Sequence, residues 1–164
     1  MNNINFQRTN KTKKVFACAV LVIALVALFT SCTPKTPVTV DFFKETVESL
    51  GYTTEDVTGQ YEHENFKIIK GIALEEDCLY VAFFETDGNE SANLAFTMAK
   101  AEMEADKGEV TAESSASIGD YQKYTLVAQG NYSLIERVGT TFVTASCHGP
   151  ESQKVTDILD AIGY

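Results

Sequence analysis

The chain has 164 residues, 45% of them apolar and 22% charged, with ten glycines, three prolines and no tryptophan. That composition describes one ordinary globular domain plus an extra segment, not a disordered, collagen-like or multi-domain chain. Residues 1–31 hold Arg8, Lys11, Lys13 and Lys14 and none of the 23 acids, so the remainder is more acidic than the whole chain's −10 by those four charges, a net of −14. Nucleic-acid affinity comes largely from lysine and arginine on phosphates, and anionic lipid attracts basic patches. A surface this acidic argues against either partner.

The amino terminus has three consecutive zones. A basic stretch ends at Lys13-Lys14, Val15 to Phe29 is uninterrupted apolar sequence, and Thr30-Ser31-Cys32 closes it with small residues. That succession is the pattern of a secretory signal peptide over 1–31. Fifteen helical residues reach roughly 22 Å, short of a hydrocarbon core of about 30 Å, and no basic stop-transfer cluster follows. The exit zone Phe29-Thr30-Ser31-Cys32 resembles the lipobox of bacterial lipoproteins, with Phe29 where leucine, valine or isoleucine is usual. The resemblance implies cleavage before Cys32 and a diacylglycerol thioether on its sulfur. Two acyl chains make a stable membrane anchor where one gives marginal binding. An ordinary cleaved signal with an incidental cysteine is the bland alternative. Cys18 has no greasy stretch upstream and is not a modified site. Residues 32–38 follow as the modified cysteine and a spacer, in which Pro34 and Pro37 favour extended geometry reaching roughly 20 Å.

A single domain is expected over 39–164. Thr39 reads as a helix N-cap with Asp41 in the first turn, and Val40, Phe43, Val47 and Leu50 share one face of a helix over 40–50 ended by Gly51. Thr53 to Glu64 is polar and reads as loop. Phe66 to Leu74 reads as a strand in which Gly71 marks a bulge or a close backbone contact. Glu75-Glu76-Asp77 forms the turn, and Cys78 to Glu85 is apolar on both alternating faces, as in a central strand covered on each side. Ser91 to Ala105 is an alanine-rich helix, apolar over much of its girth and so expected to be well buried.

Residues 109–117 are polar and ambiguous, with an edge strand as one reading. Tyr121–Ala128, Tyr132–Val138 and Thr141–Cys147 are strands, joined at Gly130-Asn131 and Gly139-Thr140. A last helix carries Val155, Ile158, Leu159 and Ile162 on one stripe before Gly163-Tyr164. The expected fold is therefore α+β, with a mainly antiparallel sheet of about five strands and three packed helices in the order α-β-β-α-β-β-β-α. Val47 to Tyr52 echoes Leu159 to Tyr164, which glycine C-capping explains without a duplication.

The layout resembles small surface lipoproteins of Gram-positive bacteria, in which a lipobox and a Thr-Pro spacer precede a compact α+β domain with a helix ending in Leu-Gly-Tyr. That resemblance implies a cell-membrane location facing outside the cytoplasm, and it implies no activity.

Cys78 and Cys147 remain after processing. An extracytoplasmic disulfide between them is one reading, since strands opening at Cys78 and closing at Cys147 adjoin if they pair antiparallel; two reduced thiols acting as small hydrophobes is the other. Cys147 and His148 point to opposite faces of a strand and form no dyad, although His148 against Cys78 stays conceivable. His63 sits in a stretch read as solvated loop. Asp87-Gly88-Asn89-Glu90-Ser91 lacks the spacing of a calcium loop and reads as a helix start capped by Asn89 or Ser91. The seven tyrosines suit either a recognition surface or half-buried strand packing. No cluster names a reaction, and no cofactor is expected. The expectation is a non-catalytic binding or accessory module whose partner is an envelope protein or a cationic or neutral ligand; a solute-binding component or enzyme with a site hidden from the sequence is the alternative.

Overall fold

The computed structural model describes residues 35–61 and 63–164. The expected leader, Cys32 and the first two spacer residues lie outside the described residues.

Helix α1 (Val40–Ser49) starts where Thr39 Oγ1 accepts the Phe42 N–H at 3.2 Å, and it buries Val40, Phe43 and Val47. Leu50 follows the helix as its half-exposed C-cap rather than extending the stripe. Strands β1 (Thr54–Asp56), β2 (Ile68–Glu76) and β3 (Leu79–Thr86) come next, then helix α2 (Asn89–Ala105). A run of β4 (Val110–Ile118), β5 (Tyr121–Ala128), β6 (Asn131–Val138) and β7 (Thr141–His148) leads to helix α3 (Ser152–Ile162). Each sequential hairpin pairs antiparallel, and β3 pairs antiparallel with β7, giving one seven-stranded sheet in the order β1-β2-β3-β7-β6-β5-β4.

The α+β class and the three helices thus stand, but the sheet has seven strands rather than about five. The two additions are its edges. β1 is three polar residues inside the stretch read as loop, and all nine residues of β4 are exposed. A strand that buries neither face has no reason to alternate apolar and polar residues, so the periodicity that betrays a strand is missing from both. Turn placement also shifts by a residue. Asp77-Cys78 and Gln129-Gly130 occupy the two-residue hairpin turns, because Glu76 pairs with Leu79 and Ala128 with Asn131.

Three layers result. α1 and α3 cover one face of the sheet, with Phe43, Val81, Phe83, Leu134, Val143 and Ile158 among the buried residues between them. α2 covers the other face over Ala82, Phe84, Tyr124, Ile135 and Phe142. Alternation along β3 divides its side chains between the layers, which is why that strand is apolar on both sides. Gly71 on β2 lies beneath Phe84. A Cβ there would stand 2.7 Å from Phe84 Cδ1, so the close approach anticipated for this glycine is made to a ring. Gly51 and Gly163 end α1 and α3 in left-handed geometry, with φ of 95° and 81°. The next residues, Tyr52 and Tyr164, each donate their N–H back to the carbonyl five positions earlier, at 3.1 Å to Val47 and 2.8 Å to Leu159. Both tyrosines pack on the same apolar layer. The shared Gly-Tyr ending is one capping device used twice.

Described residues ahead of α1 also pack on the domain. Pro37 lies over Gly139, where a Cβ would meet its Cγ at 2.6 Å, and Val38 packs on the α1–α3 layer. Lys35 Nζ is 2.7 Å from Glu136 Oε1, and Lys123 Nζ is 2.8 Å from Glu136 Oε2. Glu136 is fully buried on the face that the two lysines close, its two oxygens shared between them. Arg137, the next residue along β6, turns to the opposite face and donates to the carbonyls of Gly139 and Asn89 and to Gln122 Oε1, at 3.0, 3.2 and 3.1 Å.

Burial pushes the phenols of Tyr121 and Tyr124 up to about 12 and that of Tyr164 well above its ordinary value of 10.0. Each raised value is a contribution to stability that is complete below the unfolded value near 10 and is lost as pH rises toward the folded one, since only the unfolded chain releases those protons. Alkaline titration above pH 10 is therefore expected to unfold the domain, with the late phenolate absorbance rising together with loss of circular dichroism. Full ionisation of all seven tyrosines with an unchanged spectrum would contradict this.

Candidate functional site

α2 covers its face of the sheet incompletely. Ala92, Ala95 and Phe96 are buried, whereas Leu94, Met98 and Ala99 are half-buried and Ala101 is exposed. The expectation of a well-buried helix therefore fails over part of its apolar girth. The small residues let the first part of α2 approach the strands, and the longer Met98 and Met103 stand over a gap. Between this part of α2, the strands β3, β7 and β6, and the segment 60–68 opens a cavity of about 480 Å³. That volume lies within the range of small-molecule sites.

Its floor is Tyr80 and Phe84 from β3, Phe142, Thr144 and Ser146 from β7, and Ser133 from β6. These side chains share a face because alternation brings every second residue to the α2 side. Phe84 stacks on Phe142 with centroids 4.8 Å apart, and Tyr61 meets Phe84 edge-on at 5.0 Å. The Tyr61 and Tyr80 hydroxyls are 2.7 Å apart and hydrogen-bonded. Burial, then that hydrogen bond, hold the Tyr80 phenol far above its ordinary value, so it stays protonated. His63 lies flat on Phe66 at 4.9 Å, and its Nδ1 accepts the Asn65 N–H at 3.1 Å. Among the described residues, Glu102 from α2 is the one carboxylate in the lining, and neither lysine nor arginine is part of it. The arrangement offers apolar and ring surface for a ligand body, with hydroxyls of Ser133, Thr144 and Ser146 on one side.

Sequence reading missed this site. Gln60, Tyr61 and His63 fall in the polar stretch read as loop, and His63 is half-buried against a ring rather than solvated. The available signal was Tyr61 and Phe66 recurring among polar residues. Of the seven tyrosines, Tyr61 and Tyr80 reach the cavity, while Tyr124 and Tyr164 are core.

Apart from His63 and two of the tyrosines, the residues singled out from the sequence lie outside the cavity lining. Cys78 sits in the β2–β3 turn and is exposed, whereas Cys147 is buried in the α1–α3 layer, and both are free thiols. β3 and β7 do pair antiparallel, yet Cys78 opens no strand. Burial raises the Cys147 thiol, which makes it a poor nucleophile. His148 is exposed, with Nδ1 3.0 Å from Asn131 Oδ1. Asp87 to Ser91 forms the start of α2. Gly88 takes the N-cap position without a side-chain hydrogen bond, in place of the expected Asn89 or Ser91, while Ser91 Oγ donates to Asp87 Oδ1. Among the described residues no group of three or more His, Cys, Asp or Glu is placed to hold a metal ion. No described helix is long and apolar enough to cross a membrane.

A three-layer antiparallel α+β domain with a ring-lined cavity under one helix is the class that fold and site define. No protein-family model matches the chain, and no curated protein does. Among solved structures the chain is similar to a GTP binding regulator from Thermotoga maritima, with a TM-score of 0.52 and 11% identity, over 79% of this chain and 92% of that one. At that identity the likeness shows the fold alone.

Proposed function

We propose that this chain is a lipid-anchored protein held at the outer side of the cell membrane, where its domain binds a small ligand without transforming it. The anchor is supported by the leader and the Phe29-Thr30-Ser31-Cys32 exit. Binding is supported by one observation above all, the cavity of about 480 Å³. Its walls are mainly apolar and aromatic with a few polar groups, as in small-molecule sites generally. Only Thr33 and Pro34 separate Cys32 from Lys35, which is paired with Glu136. Three Cα–Cα steps span at most about 11 Å, so an acylated Cys32 keeps the domain near the bilayer rather than on a long stalk.

Two measurements test the reading. Intact mass of the membrane-extracted protein is expected to give a chain beginning at Cys32 with two or three fatty acyl groups; an uncut leader or a bare thiol overturns the anchor. A small-molecule library screened by thermal shift is expected to contain compounds that raise Tm, since a ligand at 100 times its Kd adds about 2.7 kcal/mol of stability. Ala99→Phe, which fills the cavity from α2, is expected to abolish the shifts. Shifts that survive this substitution, or none at all, overturn the assignment to this cavity.

A further inference from the structure

The geometry points to an organic cation as the ligand, one with a compact alkylammonium head on an apolar body, seated among Tyr61, Phe66 and Tyr80 with Glu102 as its counter-charge. This rests on the reading of the cavity as a binding site and specifies what enters it.

Three observations carry the assignment. First, the charge of the lining is one-sided among the described residues: Glu102 contributes a carboxylate, and no lysine or arginine side chain opposes it. Lys100, the lysine of α2, is committed elsewhere, its Nζ 5.0 Å over the Tyr124 ring and 3.6 Å from Glu104 Oε1. A carboxylate ligand would therefore lose its water without gaining a cation, while meeting Glu102 as a like charge. Second, the lining is dense in rings. A cation stripped of water is stabilised by the negative faces of aromatic rings, and a bulky alkylammonium gains most because its charge is spread over carbons that also bury apolar surface. The rings hold one another in place, with Tyr61 edge-on to Phe84 and hydrogen-bonded to Tyr80. Third, residues 32–164 carry a net of −14, because the leader holds four of the chain's bases and none of its acids. That field draws cations toward the domain before any contact is made.

A neutral apolar ligand satisfies the walls but leaves Glu102 and the field unused. Glu102 is exposed at the rim, so it is not a buried group demanding a partner and its substitution leaves the core intact.

The test uses choline and its neutral isostere 3,3-dimethylbutan-1-ol, which share shape and differ in charge. Both are titrated into the folded domain and followed by amide chemical shifts. Choline is expected to shift residues around Tyr61, Tyr80 and α2 and to bind about three- to tenfold more tightly than the alcohol. Glu102→Gln and Phe66→Leu are each expected to reduce that preference while leaving the affinity for the alcohol within a factor of two. Equal affinities for the two probes overturn the cation inference and leave the cavity-binding reading intact. Shifts from neither probe up to high millimolar concentration overturn the cation inference too, and with a blank library screen remove the cavity reading as well. A preference that survives both substitutions places the charge elsewhere and overturns this assignment. Circular dichroism of each variant confirms that the fold is retained.

Discussion

Phe83→Ala is expected to lower the unfolding free energy by about 4 kcal/mol, the largest single-residue effect in the domain. Phe83 has no exposed surface and stands where three elements meet. Its ring stacks on Phe43 of α1 at 5.0 Å and takes the edge of Tyr164, just past α3, at 5.5 Å. Truncation removes the apolar contact of a whole ring and leaves a void that α1 and α3 cannot both close, because each is already fixed to its neighbour strand and to the other. Phe83→Leu refills most of that volume and is expected to cost less than half as much. Urea unfolding followed by circular dichroism measures both. An alanine variant losing under 1 kcal/mol would mean that this layer is not close-packed.

The second large effect is non-additive. Removing Lys35 alone or Lys123 alone leaves Glu136 with one ammonium, and each single alanine variant is expected to cost about 1 kcal/mol. Removing both strands a buried carboxylate with no cation, and the double variant is expected to lose about 3 kcal/mol, more than the singles together. Each lysine side chain is about 30% exposed, at 29% and 32%. That contact with water places the loss at the lower end for a broken buried pair. Adding Glu136→Leu to the double variant is expected to restore most of the stability, since an apolar side chain of similar size needs no partner. Strict additivity in denaturant unfolding would show that the carboxylate is hydrated despite its burial.

Elements that bury one face were legible from the residues alone. Thr39 with Val40, Phe43 and Val47 announced α1, and the stripe of Val155, Ile158, Leu159 and Ile162 announced α3, because a helix on a sheet must repeat apolar positions at its own pitch. The same logic located β3 and its neighbours. It failed where burial is not the organising force. β1 and β4 are held by backbone ladders at the margins of the sheet, and neither has an apolar face to advertise. The cavity was hidden for a different reason. It arises from what α2 fails to cover, and a gap between elements leaves no periodic trace in any of them. Glu136 and Arg137 illustrate a third limit. Strand alternation sends them to opposite faces, but both are buried, each by partners far away in sequence, and two adjacent charges ordinarily signal a surface. Lys35 was read as spacer for the same reason, since its partner lies 101 residues further on.

β4 has a consequence for how the native protein fluctuates. All nine of its residues are solvent-facing, and it is the last strand on its side of the sheet. Detaching it breaks one ladder and uncovers almost no oily surface, so the opening needs only a small part of the global unfolding energy. The molecule therefore frays from that margin inward: β4 amides trade protons with water first, β5 follows, and the β3–β7 seam holds until the whole domain gives way.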